Sequence, residues 1–148
     1  MQIVGFNLLE IKGKRKEFLD RNFDMKVNLS MKNVKKIDFD VKEDANVLGF
    51  HFEFSVECTG ENGKIEIEGV ILAMLSKKEA DEILKTWEKE KKLSDKIRTF
   101  IYNIIFSKCN IKALELEEEL NLPTHIPMPL LRESTKEETK EEKKKEKK

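Results

Sequence analysis

Few residues of this sequence are spaced for chemistry. His51 and His125 are its only imidazoles, and neither has a Cys, Asp or Glu at a metal-ligand spacing, so no metal site is expected. Cys58 and Cys109 lie far apart, each inside a periodic apolar pattern. They read as small buried hydrophobes in a reducing compartment, not as a disulfide. No glycine-rich phosphate loop, no Gly-x-Ser-x-Gly elbow and no cysteine with a neighbouring base is present, so neither a cofactor nor an enzyme is expected. What remains is a cluster of carboxylates. Glu53, Glu57, Glu66 and Glu68 fall on one face if the segments carrying them form a hairpin in register with its turn. Such a face is either a solvated sheet surface, with Lys64 and other lysines among the acids, or an acidic platform for a basic partner.

The elements that would position these carboxylates are strands. Leu48, Phe50, Phe52, Phe54, Val56 and Cys58 alternate with polar residues, and after residues 59–63 the alternation resumes as Ile65, Ile67, Gly69, Ile71, Ala73 and Leu75. This predicts a long antiparallel hairpin, with Asn62-Gly63 supplying the positive φ of its turn. At Val70, Leu72 and Met74 the second face also becomes apolar, so that end needs cover on both sides.

Two further strands precede the hairpin. Val4, Phe6 and Leu8 alternate and then slip phase to Leu9 and Ile11, which predicts a bulge near Leu8-Leu9. A polar crossover over 13–22 leads to Phe23, Met25, Val27, Leu29 and Met31. That phase breaks at Asn33 and Lys35 and returns at Ile37, Phe39 and Val41, as in one irregular strand or two short ones. Ser76-Lys77-Lys78-Glu79 is a capping box opening a helix to about Lys92. Ser94-Asp95 caps a second helix to about Lys108, and a third short one is expected from Ile111 to Leu120. The three prolines at 123, 127 and 129 then enforce an extended path.

Composition narrows the class. Lys+Arg and Asp+Glu are equal at 29 each in 148 residues, and this zero net charge argues against a nucleic-acid protein. The wealth of Lys, Glu and Ile, with Gln2 the only glutamine, suggests a thermophile. No apolar leader and no run long enough to span a bilayer is seen, so a cytoplasmic protein without stable membrane association is expected. Residues 132–148 hold no apolar side chain and are expected to stay solvated and disordered. Nine Phe and five Met exceed what a small four-stranded sheet and its helices can hide, so some apolar surface should meet other copies or a ligand.

Three motifs carry a resemblance. They are Phe52-x-Phe54-x-Val56-x-Cys58, then Ile65-x-Ile67-x-Gly69 followed by a helical segment and Ile97-Arg98, and finally Leu120-Asn121-Leu122-Pro123 with Pro127 and Pro129. In these the chain resembles the SecB-like export chaperones over roughly residues 2–131. The resemblance implies an α+β domain over 1–131: a four-stranded antiparallel sheet with a crossover between its first two strands and C-terminal helices on one face. It also implies a dimer of dimers that holds unfolded polypeptides without ATP in apolar grooves. In such proteins an acidic sheet face serves delivery to a translocation motor, which is where Glu53, Glu57, Glu66 and Glu68 would lie. The chain departs from the family in having Lys92-Leu93-Ser94-Asp95-Lys96 before the helix arginine and in ending on a Lys/Glu tail.

The groove candidates are Phe6, Leu8, Phe23, Met25 and Val27 from the first two strands with Ile101, Ile105, Leu114, Ile126 and Met128 from the helical side. Two other readings compete. A sheet around an apolar helix also describes hot-dog thioesterases and lipid carriers, in which Asp95 would be the catalytic carboxylate. The third reading is a dedicated chaperone of a toxin–antitoxin pair.

Overall fold

A computed structural model describes residues 1–40, 44–131 and 133. Four strands, β1 (Gln2–Arg15), β2 (Met25–Ile37), β3 (Ala45–Cys58) and β4 (Gly63–Ser76), precede two helices, α1 (Lys77–Glu90) and α2 (Asp95–Glu119). The sheet is antiparallel throughout with order β1-β4-β3-β2, so the crossover between the first two strands carries the chain from one edge to the other. The α+β class and sheet expected from the sequence are therefore present. The expected charged tail lies outside the described residues except Glu133, as does Val41.

The hairpin β3–β4 is the core. Leu48, Phe50, Phe52, Phe54, Val56 and Cys58 are buried together with Ile65, Ile67, Ile71, Ala73 and Leu75, and both helices pack on this face. The two phase slips in the flanking strands are bulges. One falls between Leu8 and Glu10 and another between Met31 and Asn33, after which Val34 takes the inward position opposite Phe50. β2 is thus a single strand with one extra residue, and it stops at Ile37 before Phe39.

Two local expectations need correction. The positive φ of the hairpin turn belongs to Gly60 (76°) and Glu61 (59°), a pair of left-handed residues matching the strand twist, and not to Asn62-Gly63. Asn62 is instead fully buried. The second and third helices are one, because Lys108 to Ile111 contains neither Gly nor Pro to break the ladder. Its buried stripe, Ile101, Ile105, Cys109, Ala113 and Glu117, steps by four throughout.

Ser76 caps α1 by accepting a hydrogen bond from the Glu79 amide at 3.3 Å, and Ser94 caps α2 from Ile97 at 3.4 Å. Asn121 ends α2 in the left-handed region (φ 52°), and the Leu122 amide donates back to the Glu117 carbonyl at 2.8 Å. This reversal drives Leu122 into the core and turns His125 back onto Glu117, while residues 123–131 hold no helix or strand.

Candidate functional site

α2 packs over the two central strands, β3 and β4. α1 packs on β2, β3 and β4, so the inward row of β1 and the part of the β2 row that α1 leaves clear lie beside α2 and not beneath it. On one flank β1 presents Ile3, Phe6, Leu8 and Ile11, placed inward by their partners Ala73, Ile71, Gly69 and Ile67. On the other β2 presents Met25, Val27, Leu29 and Met31 opposite Cys58, Val56, Phe54 and Phe52. Most of these side chains are half-buried, and the outermost are open: Ile11 is 42% exposed and Val27 39%. Two apolar troughs thus run beside α2.

The ten groove candidates do not line one groove. Phe6 and Leu8 lie on the β1 edge, with β4 and β3 between them and the opposite edge, where Met25 and Val27 lie with Phe23 beside them, so the expected set divides between two flanks. Ile101 and Ile105 are sealed completely in the core. Leu114 and Ile126 are half-buried, whereas Met128 is 52% exposed. Phe6 packs on Phe52 with ring centroids 5.6 Å apart, an arrangement only Gly69 permits, since a Cβ there would lie 2.6 Å from the Phe52 ring.

At the β2 flank the chain after α2 is held by a polar clasp that no sequence spacing suggested. Glu117 is fully buried, and its carboxylate accepts the His125 backbone amide at 3.0 Å and 3.2 Å through its two oxygens. The same carboxylate meets His125 Nδ1, while His125 Nε2 lies 2.9 Å from Asn110 Oδ1. The His125 ring stands edge-on to Phe54 at 6.3 Å, and Phe54 meets Phe106 in the same way at 6.2 Å. A buried carboxylate is tolerable only when its lone pairs are filled, and here four contacts from one residue fill them. One signal could have exposed Glu117: extending the four-residue step of the α2 stripe past Ala113 lands on it.

The crossover loop is also anchored. Asn62 Oδ1 accepts the Asp20 amide at 2.8 Å, its Nδ2 donates to the Thr59 carbonyl at 2.6 Å, and Thr59 Oγ1 accepts the Asp24 amide at 2.8 Å. These bonds fix Phe23 beside Met25, where an open cleft of about 590 Å³ is lined by residues 21–25, Thr59 and Pro123. A second cleft of about 390 Å³ lies beside Met1, between α1 and the start of α2, with Leu75, Ile83, Leu93 and Ile97 in its lining.

The outer face of the sheet is divided. Glu53 pairs with Glu68 across the strands, Ser55 with Glu66 and Glu57 with Lys64, so the four predicted carboxylates do share this face. Lysines accompany them: Lys32 lies 3.1 Å from Glu53, and Lys64 lies 2.8 Å from Glu66. The Lys64 hydrogen bond holds the Glu66 carboxyl below its usual range and raises Lys64 in turn. Towards the other end this face turns apolar. Val47 and Val70 are buried outside the main core, Leu72 and Met74 are half-buried beside them, and His51 Nδ1 is buried there without a hydrogen-bond partner.

Other chemistry is sparse. The Cys58 and Cys109 thiols are free and buried, and burial pushes Cys109 up to about 12. The Asp95 carboxylate, needed by the thioesterase reading, is almost wholly solvent-exposed and lies 3.9 Å from Arg98. Among the described residues no group of three or more His, Cys, Asp or Glu could hold a metal, and no helix is long and apolar enough to cross a membrane.

No protein-family model and no curated protein sequence matches the chain. Among solved structures it is similar to the SecB-like chaperone Rv1957 of Mycobacterium tuberculosis, determined with a ChAD peptide from the HigA1 antitoxin Rv1956. That likeness has a TM-score of 0.48 and 12% identity, and covers 90% of this chain and 92% of the other.

Proposed function

We propose that this protein is an ATP-independent holding chaperone that binds unfolded or precursor polypeptides in its two troughs. In this reading it works in the cytoplasm as a homo-oligomer, a dimer of dimers. The observation that carries the reading is that each edge strand combines a half-open inward apolar row with a backbone edge that no strand among the described residues pairs, over 14 residues in β1 and 13 in β2. An unfolded chain differs from a folded one in exposing just these two things, apolar side chains and free peptide groups, so a surface offering both recognises it without reading sequence. Each anchored apolar side chain contributes roughly 1.5–3 kcal/mol. Micromolar affinity needs about 8 kcal/mol beyond the cost of association, so several sites must act together. Two troughs per protomer in an oligomer supply them by effective concentration and still allow release. The carboxylates of the outer face, Glu53, Glu57, Glu66 and Glu68, are proposed as the docking surface of a basic delivery partner.

The test is light scattering of a chemically denatured client diluted into buffer without nucleotide, joined to solution mass measurement. Suppression near one oligomer per client, and a complex of about four chains with one bound client, are expected. Unchanged aggregation of several unrelated clients would overturn the proposal.

A further inference from the structure

We infer that residues 122–125 are the held end of a tethered cover on the Phe23–Met25 end of the β2 trough, which an incoming client must displace; the inference rests on the holding function proposed above. The segment is held at one end only. Leu122 is buried in the core, Pro123 borders the cleft beside Phe23 and Met25, and His125 is clasped by Glu117 against the face of Phe54. Beyond the clasp the grip ends, for Leu130 and Leu131 are among the most exposed residues described. A segment whose polar anchor is buried while its greasy side chains hang free is fixed at a point and peels as a unit.

Its chemistry also imitates a client. It is irregular and rich in apolar side chains, yet its three prolines lack the amide hydrogens with which a strand would add to the open edge of β2. Pro123 and His125 therefore cover the cleft beside Met25 and the ring of Phe54 without sealing the sheet. When the trough is open for only a tenth of the time, apparent client affinity is tenfold weaker than the trough's own, and opening the clasp recovers that factor.

The experiment uses the full chain. His125→Ala is compared with wild type for bis-ANS fluorescence and for binding of a permanently unfolded, carboxymethylated polypeptide, with circular dichroism as the check on folding. A rise of threefold or more in dye signal and about tenfold tighter client binding are expected, both reversed by a synthetic peptide of residues 121–131 added in trans. A folded variant with unchanged dye binding overturns the inference. Should His125→Ala fail to fold, His125→Gln, which keeps a side-chain donor for Glu117, must show a smaller rise in the same direction, and no rise overturns it equally. If the dye signal rises while neither protein binds the polypeptide, the segment stands as a cover on the trough and the holding function falls.

Discussion

The two flanks of α2 start from the same design and end differently. On the β1 flank the helix terminus itself closes the far end: Leu120 sits over Gly13, and Arg15 Nη1 donates to the carbonyls of Leu120 and Asn121 at 3.1 and 2.7 Å. On the β2 flank nothing regular reaches that far, and an irregular segment pinned by Glu117 and His125 does the covering. One flank is completed by secondary structure that forms with the core, the other by an irregular piece of chain held at Leu122 and His125. An apolar row hidden under a removable cover can be both stable and available.

The largest expected effect removes what the flanks share. Phe52→Ala deletes a completely buried ring between Phe6 on one side and Met31 on the other, and should lower the unfolding free energy by about 3–5 kcal/mol, read as a shifted urea midpoint with unchanged slope. Gly69→Ala strikes the same stack from the opposite strand. Its Cβ would also meet the Asn7 carbonyl at 2.7 Å, and a loss of roughly 1–3 kcal/mol is expected. A loss below about 0.5 kcal/mol for either would mean that the central stack is not the common floor of the two troughs.

The next effect separates the flanks. Ile11→Glu and Val27→Glu each place a charge on an outward-lying row residue, so stability should change by no more than about 0.5 kcal/mol while client affinity falls several-fold. In wild type Val27→Glu should weaken binding less than Ile11→Glu, because the β2 trough is covered part of the time. In the His125→Ala background the two should become equal. A larger effect of Val27→Glu in wild type would reverse the comparison.

How much of this was legible follows from the reach of sequence patterns. The hairpin, the bulge at Leu8-Leu9 and the buried cysteines come from local periodicity and both helix caps from short capping motifs, and patterns of this reach are what a sequence displays. Helix continuity through Cys109 was lost because the stripe changes there from isoleucine to small residues and then to acids. The clasp was invisible for a different reason. Glu117 sits among acidic neighbours and reads as solvent-facing, and His125 reaches it only because the left-handed turn at Asn121 folds the chain back. Phe6 and Phe23 part because the crossover sends β1 and β2 to opposite edges of the sheet, so apolar rows that look alike in sequence line different flanks.

The smallest effect, and the sharpest comparison, comes from the two thiols. Cys109 lies under the middle of α2 and is lifted to about 12 by burial, whereas Cys58 lies at the covered end of the β2 trough, its Sγ 3.2 Å from Met25 Sδ, and is raised by burial and then by the charge of Glu117. Because alkylation requires the thiolate, both should resist iodoacetamide in the native protein at pH 8. Raised values in the folded state mean that the unfolded chain ionises first. The stability from each neutral thiol is thus complete below about 9, the ordinary thiol value, and is lost as pH climbs, for Cys109 across the window from 9 to about 12. Wild type should consequently lose thermal stability more steeply over that window than Cys109→Ala. In His125→Ala the labelling of Cys58 should quicken at pH 8 while that of Cys109 stays at the wild-type rate, since the cover leaves but the helix does not. Equal quickening at both sites would mean that cover and helix open together, and the difference between the flanks would vanish.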